Sequence, residues 1–123
     1  MTAKKILVVE DTEDNRQILR DLLSMAGYEM VEAHDGAEGV AKAEEHKPDL
    51  ILMDIQMPVM DGYEATRRIK ANPSLQSIPI VAVTSYALSG DEEKTRNAGC
   101  DAYIAKPYSP RQMLSKVREI LGS

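Results

Sequence analysis

A doubly wound α/β domain built on a five-stranded parallel sheet is the fold the sequence predicts, and three observations predict it. Short apolar runs alternate with helical patterns five times within 123 residues. Three of the runs are apolar on both faces, as strands inside a covered parallel sheet are. Helix ends carry capping residues and glycines at the right offsets. The first strand is "KILVV" (5–9), and a helix follows with Ile18, Leu19, Leu22, Leu23 and Ala26 on one face, closed by Gly27. "MVEA" (30–33) is the second strand; the second helix starts at Asp35 with Glu38 three residues on, a spacing in which the first side chain caps free amides and the second reaches back. "LILM" (50–53) is the third strand, and Asp61 with Glu64 opens the third helix, which finishes in "RRIKANPSLQS" (67–77), a solvated loop around Pro73. "IPIVAV" (78–83) is the fourth strand, followed by a helix opened by Ser89 with Glu92 and ended by Gly99. "AYIA" (102–105) is the fifth. The last helix combines Ser109 with Gln112, Pro110 in its first turn, an apolar stripe of Met113, Leu114, Val117, Ile120 and Leu121, and a closing Gly122.

The length suits one domain, residues 1–123, with no output domain expected after the fifth helix. Hydrophobic residues make up 43% of the chain, with no Trp and no Phe, so the core is expected to be aliphatic. Fifteen Lys and Arg against twenty Asp and Glu give a net charge of -5, which repels a phosphate backbone, and direct nucleic-acid binding is not expected. Cys100 is the single cysteine, and "MTAKKILVVE" lacks the apolar stretch of a signal peptide. A cytoplasmic protein without membrane insertion is the expectation, the longest apolar runs being far too short to cross a bilayer.

Right-handed crossovers between parallel strands place a ligand site at the carboxyl ends of the strands. Those ends are polar: Glu10 and Asp11 after the first strand, Asp54 after the third, Thr84 and Ser85 after the fourth, Lys106 and Pro107 after the fifth. Singly, each has an ordinary explanation. Asp11 or Thr12 could cap the first helix, Thr84 suits a strand end, and Lys106 could be a solvated charge. Asp54 closes a strand buried on both faces and loses hydration unless something pairs with it. Together they form three acids, a hydroxyl and an ammonium. Crowded carboxylates resist full ionisation unless a cation joins them, and Mg²⁺ takes oxygen ligands of this kind. Asp54 can act as a nucleophile toward a phosphoryl group, whose outer oxygens the metal, the Thr84 hydroxyl and the Lys106 ammonium would neutralise.

In "VVED", "LILMDIQMPVMDG", "VAVTSYA" and "DAYIAKP" the chain resembles response-regulator receiver domains, along essentially its whole length. The resemblance implies the flavodoxin-like (βα)5 arrangement with strand order 2-1-3-4-5. It implies Asp54 as phosphoacceptor, and Asp11, Asp54 and the Gln56 backbone carbonyl as Mg²⁺ ligands, with Glu10 contributing through water. It also implies Thr84 and Lys106 as phosphoryl contacts and a cis bond between Lys106 and Pro107. The implied switch draws the Thr84 hydroxyl inward and turns Tyr103 into the vacated space; from the residues alone, Tyr103 reads as a half-buried packing residue. Gln56 and Tyr86 occupy positions that tune phosphoryl lifetime in such domains. The implied function is a phosphorylation-activated switch in a two-component system or phosphorelay, a signalling protein rather than a turnover enzyme. Its phosphoryl donor is a histidine kinase or phosphotransferase, docking through the first-helix face with Asn15, Arg16, Ile18 and Leu19, the last two also reading as core. Its output goes to a downstream protein through the fourth helix, fifth strand and fifth helix, and a phosphorylation-dependent homodimer stays open. The finer likeness is to single-domain receivers of the DivK cell-division type; a relay module serving a sensor kinase stays open as well.

Other chemistries fit less well. A haloacid-dehalogenase-type phosphatase needs an acid where Gln56 stands, a calcium loop from Asp11 needs Gly at Arg16 and Glu at Leu22, and "VVEDTEDN" has no glycine-rich dinucleotide turn. His34, His46 and Cys100 show no metal-ligand spacing and read as structural or surface residues. The remaining rival is a scaffold that binds partners without phosphorylation.

Overall fold

The computed structural model describes residues 3–55, 60–84 and 91–122, without the side chains of 91, 92, 94 and 95. Gln56, Ser85, Tyr86 and the Ser89–Glu92 cap lie outside the described residues. Five strands and five helices alternate: β1 (Lys5–Val9), α1 (Glu13–Met25), β2 (Glu29–Ala33), α2 (Gly36–His46), β3 (Leu50–Asp54), α3 (Gly62–Ala71), β4 (Ile80–Thr84), α4 (Asp91–Ala98), β5 (Ala102–Ala105) and α5 (Pro110–Leu121). All strand pairs are parallel, in the order β2-β1-β3-β4-β5.

Alternation along each strand divides the core in two. Leu7, Val9, Ile51, Met53, Ile80 and Ala82 face α2 and α3, where they meet Ala43, Ala65 and Ile69. Ile6, Val8, Leu50, Leu52, Val81, Val83 and Ile104 face α1 and α5, where they meet Leu19, Leu23, Met113 and Val117. The apolar-both-faces runs are therefore sheet interior, with β3 and β4 buried throughout. Burying about 20 aliphatic side chains at roughly 1.5–3 kcal/mol each supplies the main drive to fold.

The helix ends follow most of their sequence signals, and the differences are local. Asp35 and Asp61 accept from the amides of Glu38 and Glu64, but Glu38 Oε1 turns to the His34 amide at 2.7 Å and Glu64 pairs with Arg67 and Arg68. Only Ser109 and Gln112 form the full reciprocal box among the described helices, at 3.1 and 2.8 Å. Thr12 occupies the first N-cap position with no side-chain hydrogen bond there. Ile18, placed on the apolar face of α1 by its spacing, is 57% exposed: α1 rests on Leu19 and Leu23, and the rotation between them turns Ile18 to solvent. The loop around Pro73 is less solvated than its composition suggests, because Leu75 is buried against the α3 side of the sheet. Strand limits shift by a residue or two: β4 begins at Ile80 and extends to Thr84, and β3 includes Asp54.

Candidate functional site

Three carboxylates converge where β1 and β3 end. Glu10 and Asp54 are buried at 5% and 3% exposure, Asp11 is exposed, and each offers an oxygen within 4.8 Å of the others. Strand periodicity explains the convergence. Val8 and Leu52 face α1 and α5, so Glu10 and Asp54, two positions on, point the same way, as does Lys106, two beyond Ile104. Lys106 Nζ lies 3.4 Å from Asp54 Oδ2 and 3.9 Å from Glu10 Oε2. The Lys106 amide donates to the Thr84 carbonyl at 2.7 Å, and the Lys106–Pro107 bond is cis.

Thr84 is fully buried at the end of β4. By the same periodicity it lies on the opposite face, in line with Ala82, whose partner on β5 is Tyr103. Tyr103 is half-buried and packs against the α2–α3 core. The hydroxyl and the aromatic thus share one side of the sheet, while the acids and the lysine share the other.

Glu10 is held on several sides. Burial pushes its carboxyl up, and this is outweighed by side-chain interactions with Asp54 and Asn15, the Lys106 charge and the Thr12 amide, so that Glu10 sits below the ordinary carboxylate range. Asn15 Nδ2 donates to Glu10 Oε1 at 2.8 Å, and Arg16 Nη1 donates to the Glu10 carbonyl at 2.7 Å. Carboxylates this close repel one another unless a positive charge joins them, and a hard cation with oxygen preference would supply it. Two buried acids, one exposed acid and open access on the Asp11 side fit Mg²⁺, which keeps waters and uses few carboxylates. Gln56, expected to add a carbonyl, lies outside the described residues.

Sequence reasoning missed two features. Tyr108 lines the small cavity, about 10 Å³, enclosed by Glu10, Asn15, Asp54, Lys106 and Leu19. Its phenol is pushed above the ordinary tyrosine range by burial and by the negative charge of Glu10 and Asp54. Asn15 and Arg16, expected only on a docking face, touch Glu10 directly. Helical spacing gives no sign of this, since the contact depends on how the α1 N-terminus folds over the β1 end. His34 pairs with Glu38 at the surface, and Cys100, half-buried, lies 3.8 Å from the Thr66 hydroxyl; neither joins the acid cluster.

Known proteins match both sequence and shape. The polar-differentiation response regulator DivK of Brucella anthropi is 44% identical over 119 residues, 97% of each chain, and that of Brucella abortus is equally similar. The receiver domain of the sensor histidine kinase PA1611 from Pseudomonas aeruginosa, solved with a magnesium ion coordinated in its active-site cleft, is 38% identical and superposes with a TM-score of 0.92, covering 99% of this chain and 100% of its own. The chemotaxis protein CheY4 of Vibrio cholerae gives the same TM-score at 29% identity, over 97% of this chain and 99% of its own. Residues 6–118 match the response regulator receiver domain. With that match across nearly all of the folded chain, the protein belongs to the response-regulator receiver family, as a DivK-like component of two-component signalling.

Proposed function

We propose that the protein is a phosphorylation switch in which Asp54 accepts a phosphoryl group from a phosphohistidine donor. The observation that carries this reading is the position of Asp54: a 3% exposed carboxylate at a strand end, 3.4 Å from the Lys106 ammonium and within 4.8 Å of two further acids. An Asp54 carboxylate oxygen attacks phosphorus, the phosphorus–nitrogen bond breaks, and its electron pair leaves with the imidazole, which is then neutralised by a proton. Lys106 neutralises charge on the transferred group, and the buried Thr84 hydroxyl would donate to it after turning toward the site. Asp11 and Asp54, with the Gln56 carbonyl and Glu10 through water, would hold Mg²⁺. When bound, it supplies the positive charge that lets an anionic phosphate approach three acids. Movement of Thr84 toward the phosphoryl group would free space along the face it shares with Tyr103, coupling the site to α4, β5 and α5.

Two surfaces support the proposed contacts. On α1, Ile18 at 57% exposure lies with Asp14, Gln17 and Asp21 on one face of the helix whose first turn contacts Glu10, a surface suited to a phosphodonor partner. A groove of about 560 Å³ along β5 and α5, lined by Ile104, Pro107, Arg111, Lys116 and Glu119, suits a downstream protein. A cytoplasmic location accords with this function, and no described helix is long and apolar enough to cross a membrane.

Intact mass after incubation with acetyl phosphate tests the reading. A single Mg²⁺-dependent phosphoryl adduct that is absent in Asp54→Asn is the expected result. Absence of the adduct together with failure to bind beryllofluoride would overturn it and leave the phosphorylation-independent scaffold.

A further inference from the structure

We propose that Asn15 and Arg16 are positioning residues of the metal site, together forming a clamp from the first turn of α1 that sets the Glu10 carboxylate and the Glu10–Asp11 backbone for the cation. The inference rests on the proposed Mg²⁺ site. Its basis is a pair of hydrogen bonds that neither helix formation nor core packing needs: Asn15 Nδ2 to Glu10 Oε1 at 2.8 Å and Arg16 Nη1 to the Glu10 carbonyl at 2.7 Å.

The two residues act on different parts of the same acid. Asn15 fixes the carboxylate. Its alternative partner is Lys106, whose Nζ is already 3.9 Å from Glu10 Oε2 while lying 3.4 Å from Asp54 Oδ2. Without the amide, Glu10 is free to close that gap, which removes an acid from the cation's side and draws the lysine from Asp54. Arg16 fixes the backbone. Its guanidinium is anchored by Glu13 Oε2 at 2.6 Å and Glu32 Oε1 at 3.4 Å, and is only 15% exposed, so the fork is rigid where it meets the carbonyl. Because Asp11 follows that carbonyl directly, holding the peptide also sets where the exposed Asp11 carboxylate emerges beside Asp54. Groups of this kind orient ligands without touching the ion, and their loss commonly weakens metal affinity by about 10–100-fold.

The test is Mg²⁺ affinity, read by titrating magnesium chloride into isotope-labelled full-length protein and following amide shifts by NMR, so that no phosphorylation is needed. Asn15→Leu keeps the side-chain shape and removes the donor; affinity is expected to fall by about tenfold. In a Glu10→Ala background the same change is expected to cost nothing further, which a merely structural role of Asn15 would not produce. Arg16→Ala is expected to weaken binding in both backgrounds, because it works through the backbone. Arg20→Ala, which breaks the neighbouring pairs with Glu13 and Glu32 but does not touch Glu10, is expected to leave affinity unchanged. Urea unfolding of each variant verifies a cooperative fold. Unchanged affinity in Asn15→Leu, or an equal loss with and without Glu10, overturns the clamp while leaving the metal site standing. Absence of Mg²⁺ binding by the unaltered protein overturns both.

Discussion

Tyr108 carries a charge-sensitive phenol into a site otherwise made of acids and a lysine. Burial and the negative charge of Glu10 and Asp54 both disfavour its phenolate, raising its ionisation above the ordinary 10.0. The sign for stability follows directly. Unfolded, the tyrosine ionises at its ordinary value, so between the two values the folded state binds more protons and stability falls as pH rises. The contribution is fully present below about pH 10 and is lost as pH climbs through the folded value. Tyr108→Phe is therefore expected to lose less stability than the unaltered protein between neutral pH and the alkaline range. Urea midpoints measured at neutral pH and above pH 10 check this, and parallel curves for the two proteins would exclude the effect. The sequence signal for Tyr108 was weak, because a tyrosine after Lys106-Pro107 has no periodicity and its neighbours come from β1 and β3. Asp54, by contrast, was legible: a carboxylate closing "LILM" interrupts an apolar run at the strand end where a doubly wound sheet places its ligands.

Elements converge on the site through one tight contact. α3 starts immediately against the end of β3, and a Cβ on Gly62 would collide with the Asp54 carbonyl and sit 2.7 Å from Ile55 Cα. The Gly62 amide donates to the Ile55 carbonyl at 3.2 Å, tying the helix start to the strand that bears the phosphoacceptor candidate. Gly27 makes the useful contrast. Its φ of +90° strains any other residue, but a Cβ there meets nothing within 4 Å. Gly27→Ala is expected to cost about 1 kcal/mol and leave acetyl phosphate labelling unchanged. Gly62→Ala is expected to cost about 1–3 kcal/mol and to slow labelling as well, because relief of the clash displaces the backbone at Asp54. Urea midpoints and labelling rates on both variants separate conformational strain from site distortion. At this scale the sequence was most informative. Two-sided apolar runs located the interior strands, and Asp35, Asp61 and Ser109 marked helix starts. It was least so for Ile18, because a face spanning positions 18 to 26 does not say which edge of the stripe meets the sheet.

Across the whole molecule, the acid cluster sets a conflict between folding and function. The chain has a net charge of -5, and Glu10, Asp11 and Asp54 concentrate like charge at one end of the sheet, two of them buried. Such a group opposes the folded state when no cation is present, since unfolding separates the charges. Lys106 offsets only part of this from 3.4 and 3.9 Å. Removing one acid is therefore expected to stabilise the metal-free protein, and Asp11→Asn is the cleanest choice because Asp11 is exposed and its replacement leaves the core intact. Cation binding works in the opposite sense. A ligand that binds only the folded state at about ten times its dissociation constant adds about 1.4 kcal/mol. For a domain of this size that corresponds to a melting temperature higher by about 3–8 °C. The two effects should cross: in EDTA, Asp11→Asn melts above the unaltered protein, and with magnesium the unaltered protein gains several degrees while the variant gains little. Calorimetric scans with and without magnesium chloride measure all four values. Equal magnesium gains in the two proteins would mean that Asp11 holds no cation. A lower melting temperature for the variant in EDTA would mean that the carboxylate supports the fold instead of straining it.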